Sequence, residues 1–461
     1  MLDTIVKAKR VEVERAKRER PVDQLLDELR PSDRDFQAAI SRRRTGFILE
    51  CKRRSPSQGT IRKGADPVAV AGAYAPFADA VSVLTDGPFF GGSLDDLTRV
   101  RESVTVPVLR KDFVVEPYQV VEARAAGADA VLLMLSVLGD LAWRACAAVA
   151  RECGMGTLTE VHTEAELERA LALEAPVIGI NSRDLQTLQV DLRVIDRLAP
   201  QVPDDRLVVA ESGIRSHADA AALRDRTDAF LVGTSLMRER DLEAATRRLI
   251  FGEVKVCGLT RAEDALAAWE SGATWGGLIF AAESPRRVDV EQARAVRAGA
   301  PLRWTGVFVN ENPAEVATIA RQLDLDAVQL HGDETADDVA ATRAGLHEGC
   351  ETWKAIRVGR DVASPRLSDT GADRLLLDAY RPETRGGTGT RFDWSMAASH
   401  PDVEHVVLAG GLTPDNAVIA GAVGAAMLDV NSGVEDAPGV KSPAKLDAFF
   451  AALRGTGRDR R

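Results

Sequence analysis

The chain has 461 residues, 45% of them hydrophobic and 28% charged, with a formal net charge of −11 at pH 7. That length exceeds one ordinary hydrophobic core and points to two or three domains of soluble globular type. The acidic balance argues against a nucleic-acid partner, and no run of about 18 apolar residues or signal-peptide apolar region is present, so a cytoplasmic location without membrane contact is expected.

The opening segment KAKRVEVERAKRER (7–20) interleaves basic and acidic residues and predicts a helix with a solvated face. Short apolar runs then recur: GFILECK, AVSVLT, VPVLRKDF, AVLLML, GTLTEVH, VIGINSRDL, LVVAESGI and AFLVGTSLM. Their β-branched, continuous apolarity fits strands buried on both faces of a parallel sheet. Helical patterns such as PYQVVEARAAGA and TEAELERALAL lie between them. A second series follows: EVKVCGLT, WGGLIFA, LRWTGVFVN, AVQLHG, TWKAIRV, RLLLDAY, HVVLAGGL and MLDVNSGVE. A βα unit repeated eight times is the (β/α)₈ pattern, so the expected fold is α/β, two tandem (β/α)8 TIM barrels. An open doubly wound sheet competes, but no GxGxxG turn supports it. The boundaries expected are 1–252 and 253–461, with the final GTGRDRR as a short disordered tail.

In such barrels the chemistry sits at the C-terminal ends of the strands. The first series ends repeatedly in polar groups: Glu50 and Lys52, Lys111 and Asp112, Glu160, Asn181 and Arg183, Glu211 and Ser212. Glu50 and Lys52 share one strand face, with Cys51 on the other. Two lysines among three glutamates suit acid–base chemistry on a charged substrate, and a lysine with a lowered pKa would make Lys111 a usable proton donor. The ESGIR and VGTSLM turns offer glycine, hydroxyl and N–H groups where barrels often bind phosphate, with Ser55 and Ser57 able to close over it.

The second series places Cys257 after its first strand and Asp378 at the end of its sixth, a pairing suited to removing a proton at one atom and delivering one at another. The other four cysteines, at 51, 146, 153 and 350, read as small buried hydrophobes. Arg286 in SPRR suits a carboxylate. The glycine-rich turns RGGTGTRFDW, LAGGLTPDN and DVNSGVE suit an anion approached by backbone.

Together these motifs resemble known families. Residues 1–252 resemble indole-3-glycerol-phosphate synthase through LECKRRSPSQG, VLRKDF, LTEVH, GINSRDL, AESGI and VGTSLM. Residues 253–454 resemble phosphoribosylanthranilate isomerase through KVCGLT, GLIFAAESPR, GVFVN, VQLHGDE, GGTGTRFDW, LAGGLTPDN and DVNSGVE. The order resembles the bifunctional enzymes of bacterial tryptophan biosynthesis.

The resemblance implies an Amadori rearrangement in the second barrel, with Asp378 as acid and Cys257 as base. Arg286 would hold the anthranilate end, and Gly411, Asp429, Asn431, Ser432 and Gly433 the phosphate. For the first barrel it implies indole ring closure with loss of carbon dioxide and water. Lys111 would be the general acid, Lys52 the partner of substrate anions, and Glu160 the carboxylate of the dehydration. Glu50, Asn181 and Glu211 would orient the substrate, Arg183 would reach a sugar hydroxyl and Phe90 would line the anthranilate slot. Ser212, Gly213, Gly233, Thr234 and Ser235 would cradle phosphate. No cofactor or metal is implied, the partners are small phosphorylated substrates, and a monomer is expected. A non-catalytic sugar-phosphate-binding regulator is the rival outside enzymes. An isomerase also acting on the histidine-pathway aminoaldose is the rival within them.

Overall fold

The computed structural model describes residues 1–42, 44–184, 187–358, 365–379, 394–456 and 458. The chain divides into two compact units, Met1–Ile250 together with Gly455–Arg461, and Phe251–Arg454. Each is built on a closed barrel of eight parallel strands.

The first barrel comprises β1 (Gly46–Cys51), β2 (Ala80–Leu84), β3 (Val108–Lys111), β4 (Ala130–Met134), β5 (Gly156–Val161), β6 (Val177–Asn181), β7 (Leu207–Glu211) and β8 (Ala229–Val232). Closure is made by β1, which sets Ile48 opposite Ala80 of β2 and Gly46 opposite Ala229 of β8. Every residue of β1 and β7 is buried, as runs without polar alternation require when helices cover one face and the barrel interior the other. Ile48, Leu109, Leu132, Leu158, Val209 and Leu231 fill that interior. Phe36, from the short helix Phe36–Ile40, rests on Gly156 at the start of β5 and so closes the N-terminal end.

The N-terminal helix α1 (Leu2–Glu19) departs from the expected solvated face. Ile5, Lys9 and Val13, four residues apart, form its buried stripe, and Lys9 is only 1% exposed. Residues 455, 456 and 458, the described part of the C-terminal tail, are hydrogen-bonded to the first unit. Thr45 N–H donates to Gly455 O at 3.0 Å, Arg458 N–H donates to Thr227 O at 3.0 Å, and Arg458 Nη1 donates to Val202 O at 3.1 Å. These acceptors are backbone carbonyls, which composition does not reveal.

The second barrel comprises β9 (Val254–Val256), β10 (Trp275–Ile279), β11 (Arg303–Phe308), β12 (Ala327–Leu330), β13 (Glu351–Val358), β14 (Arg374–Ala379), β15 (Val406–Leu408) and β16 (Met427–Val430). Trp275 and Trp353 pack in its core with ring centroids 4.9 Å apart. Their indole N–H groups donate to Glu253 at 2.8 Å and to Glu351 at 2.7 Å, so each large ring is buried with its polar atom satisfied. Residues 385–393 of the RGGTGTRFDW motif lie outside the described residues. Among the described residues no helix is long and apolar enough to cross a membrane.

Candidate active sites

At the C-terminal mouth of the first barrel, β1, β3, β5 and β7 bring Glu50, Lys111, Glu160 and Glu211 together. Lys111 Nζ lies 3.0 Å from Glu160 Oε2 and 3.5 Å from Glu211 Oε2, while Lys52 Nζ lies 2.6 Å from Glu50 Oε1. The three carboxylates are buried. Two glycines make room for them: a Cβ at Gly179 would overlap Glu211 Oε1, and one at Gly233 would stand 2.9 Å from Glu50 Oε1.

The charges set one another. Burial pushes the Glu50 carboxyl up, but Lys52 and Lys111 outweigh it and hold the group below the usual range. For Lys111, burial favours the neutral amine, yet Glu160, Glu211 and Glu50 outweigh it and raise the ammonium's pKa well above normal. The expected lowered lysine is therefore corrected: three carboxylates face Lys111, and they hold its proton in the free enzyme. Glu160, buried, is pulled strongly down by Lys111 and His162. Glu211, the carboxyl with least compensation, is pushed up to about 8 by burial and by its neighbours Glu160 and Glu50.

His162 was not singled out from the sequence. Its Nε2 lies 3.2 Å from Glu160 Oε1, its Nδ1 lies 3.2 Å from Glu166 Oε2, and its backbone N–H donates to Glu166 Oε2 at 2.6 Å. Burial opposes its charge, but the two carboxylates raise its pKa to about 10.

Around this cluster, Phe90 and Phe113 stand 5.9 Å apart at a tilt, facing ring to ring. Asp86 caps the short helix carrying Phe90, accepting from the N–H of Phe89 at 2.8 Å and of Phe90 at 3.3 Å. Asn181 Oδ1 accepts from Arg183 N–H at 3.0 Å, and Arg183 Nη1 donates to Leu188 O at 2.9 Å. The turn after β7 has Ser212 and Gly213 both at positive φ, 65° and 85°. Ser182 Oγ braces it through Ser212 O at 2.9 Å, and Ser235 Oγ, in the Gly233–Thr234–Ser235 turn after β8, donates to Ile214 O at 3.0 Å. Ser55 and Ser57 belong to a small hairpin, with Ser55 buried and the two hydroxyls 3.4 Å apart.

The second mouth is organised around Gly258. Its φ of +72° favours glycine, and a Cβ there would lie 2.7 Å from Arg286 Cδ and 2.8 Å from Asn431 Oδ1. Cys257, Arg286 and Asn431 are thereby gathered at one point. Arg286 is already gripped by Glu435, with Nε 2.9 Å from Oε1 and Nη2 2.7 Å from Oε2. Lys441 Nζ holds the same carboxylate at 2.9 Å and Asn431 Oδ1 at 3.0 Å. Glu435 takes the Nε–Nη2 edge of the guanidinium, so Arg286 meets a carboxylate from its Nη1 side.

Across the barrel, Asp378 Oδ2 is 3.3 Å from His331 Nε2. The Gly410–Gly411 turn has both residues at positive φ, 82° and 72°, and is braced by Asn416 Nδ2 donating to Gly411 O at 2.9 Å. The Ser432–Gly433 turn packs so closely on Leu412 O that a Cβ at Gly433 would overlap it. The two turns form one backbone cradle. Asp429 does not share in it. Its carboxylate Oδ2 pairs with the buried Lys255 Nζ at 2.8 Å, while Oδ1 is buried with no partner among the described residues. The expectation that Asp429 holds phosphate is corrected on that ground, since a carboxylate accepts hydrogen bonds and repels the anion. Lys255, Gln329, His331, Glu435 and Lys441 were all missed from the sequence. The alternation signal was available for one of them, because Lys255 lies two residues before Cys257.

Residues 2–249 match the family model of indole-3-glycerol phosphate synthase, and residues 254–452 match that of N-(5'-phosphoribosyl)anthranilate isomerase. A tryptophan biosynthesis protein TrpCF of Yersinia pestis is 47% identical over 454 residues, covering 98% of this chain and 94% of that protein. The protein of the same name from Vibrio cholerae serotype O1 is 48% identical, covering 98% of this chain and 96% of its own length. Among solved structures, a phosphoribosyl anthranilate isomerase from Thermus thermophilus is 38% identical, covering 44% of this chain and 98% of its own, with a TM-score of 0.40.

Proposed function

The chain belongs to the family of bifunctional indole-3-glycerol-phosphate synthase/phosphoribosylanthranilate isomerases of tryptophan biosynthesis, and on that premise we propose how its residues divide the two reactions. Residues 1–252 carry the synthase and 253–454 the isomerase.

The isomerase opens the ribose of N-(5-phosphoribosyl)anthranilate and rearranges the aminoaldose to the aminoketose. Asp378 gives a proton to the ring oxygen and Cys257 takes one from C2′. Arg286, fixed by Glu435, meets the anthranilate carboxylate through Nη1. Backbone N–H groups of the turns at Gly411 and at Asn431, Ser432 and Gly433 hold the phosphate. Asp429 Oδ1 is placed to accept from a substrate hydroxyl or N–H.

The synthase takes the aminoketose, closes the ring and expels carbon dioxide and water. Lys111, fully protonated between its carboxylates, is the general acid at the carbonyl, and substrate entry separates it from them. Glu160 handles the proton of the dehydration. Lys52 meets the substrate's anionic groups beside Glu50, and Asn181, Arg183 and Glu211 orient it, with Phe90 against the aromatic ring. Ser212, Gly213, Gly233, Thr234 and Ser235 receive the phosphate. The chain acts on these small phosphorylated substrates as a cytoplasmic monomer.

The observation that carries this reading is the separation of two proton-transfer sets, Lys111 with Glu160 in one barrel and Cys257 with Asp378 in the other. Single variants test it. Lys111→Ala is expected to lower indole formation by about 10²–10⁴ and spare isomerisation, and Cys257→Ala to do the reverse. A variant that weakens both activities equally, or neither, overturns the assignment.

A further inference from the structure

Beneath the isomerase mouth a line of buried and half-buried polar side chains runs between the two residues assigned to proton transfer. It begins at Lys255, which has no exposed surface, and Cys257, two residues on and facing the same way along the strand direction of β9. Gly277 lets them meet. The place a Cβ would take there is 2.8 Å from Cys257 Sγ and 2.9 Å from Lys255 Cε. An ammonium has three protons and no lone pair. Lys255 Nζ gives two of them, to Asp429 Oδ2 at 2.8 Å and to Gln329 Oε1 at 2.9 Å, and the third is left for the Cys257 sulfur, beside which its side chain runs at Gly277.

The rest of the line follows by donor–acceptor logic. Gln329 accepts from the ammonium through its carbonyl oxygen, so its Nε2 faces His331 Nδ1, at 2.7 Å, as donor. His331 Nδ1 must then be the acceptor, and the imidazole carries its proton on Nε2. That proton points at Asp378 Oδ2, 3.3 Å away. Asp378 Oδ2 is thereby held as the acceptor of that proton.

Resting on the isomerase assignment above, we propose that Lys255 is the counter-ion of the Cys257 thiolate and that, through Gln329 and His331, it orients the Asp378 carboxyl. These three are positioning residues, since none is assigned to the substrate. The balance is simple. The thiolate takes the C2′ proton and becomes a thiol, Asp378 gives its proton to the ring oxygen and becomes a carboxylate, and one proton returned to Asp378 with one lost from the thiol resets the site.

Other charges face these groups. Cys257 is faced by Lys255, Asp429, Lys441 and Arg286, and Asp378 by His331 and Asp429. Lys441 and Arg286 are both drawn onto Glu435, at 2.9 and 2.7 Å, whereas Lys255, although paired with Asp429, runs beside Cys257 at Gly277. Burial pushes the free thiol's pKa up, and Lys255 is the largest effect opposing it.

The test uses the full chain. The rate of Cys257 alkylation by iodoacetamide, followed by peptide mass spectrometry against pH, gives the thiol's midpoint without substrate. Lys255→Met is expected to move it up by about 1–3 pH units, and to carry the acid limb of isomerase kcat/KM with it, while Lys255→Arg restores most of both. Lys255→Gln removes the charge but keeps hydrogen bonds, and serves if the Met variant fails to fold. Gln329→Leu is expected to lower isomerase kcat with the alkylation midpoint in place. An unmoved midpoint in a folded charge-removed variant overturns the proposal. Full isomerase activity in Cys257→Ala would instead sink the underlying assignment, which the alkylation measurement does not presuppose.

Discussion

Replacing Lys9 by methionine removes a buried cation from beneath the synthase mouth while keeping the length of the side chain. Lys9 Nζ stands 3.1 Å from Asp86 Oδ2, 2.9 Å from Asp112 Oδ1 and 3.0 Å from Glu12 Oε2. The two aspartates are as buried as the lysine. Breaking a buried pair from one side costs about 3–5 kcal/mol, because the partner's charge is left without compensation. Here the lower end applies. Asp112 keeps Arg110 at 2.9 Å and the Thr85 hydroxyl at 2.6 Å, and Asp86 keeps the N–H groups of Phe89 and Phe90. For a unit of this size about 1 kcal/mol corresponds to about 2–4 °C, so a fall of about 6–12 °C in the synthase transition is expected. Calorimetry of the full chain measures it. Synthase KM should rise as well, because Asp86 caps the Phe90 helix and Asp112 follows Lys111. A transition displaced by less than about 2 °C, with KM unchanged, would refute the reasoning.

Two further predictions concern charges that the folded chain perturbs. His162 has a folded pKa of about 10 against an ordinary 6.5, so its contribution is complete below about 6.5 and is lost as pH rises through about 10. His162→Asn should therefore lower the synthase transition at pH 6–7, with the gap from wild type closing toward pH 10, and a gap that widens with pH would contradict the Glu160–His162–Glu166 arrangement. Arg286→Ala should raise isomerase KM by about ten- to a hundred-fold and change kcat less, since it removes one charged hydrogen bond and leaves Glu435 to repel the substrate carboxylate. Initial rates against substrate concentration decide it, and an unchanged KM speaks against the grip.

The barrels were legible because their strands are apolar on both faces, a pattern that survives without any knowledge of packing. The strand-end positions of Glu50, Lys111, Glu160, Cys257 and Asp378 were legible for the same reason, since a charge or thiol there interrupts an apolar run. What failed was partner choice. Lys9 looked like one of many helix charges, and only the folded chain sets it against Asp86 and Asp112. Arg286 and Glu435 are 149 residues apart, and nothing local pairs them. Asp429 and Lys111 were given the right neighbourhood and the wrong electrostatics, because the sign of a pKa shift depends on which charges converge from other strands. His162 and Lys255 were within reach, each lying two residues from a group already singled out, whereas His331 meets Asp378 only across strands. The rival regulator reading finds no support in the family matches.

The most direct test starts the purified chain on freshly generated N-(5-phosphoribosyl)anthranilate, following the loss of anthranilate-type fluorescence and quantifying indole-3-glycerol phosphate at the end. The account predicts consumption with one indole product for each substrate lost. Consumption that stops at the aminoketose would contradict the synthase half, and no consumption would contradict the isomerase half.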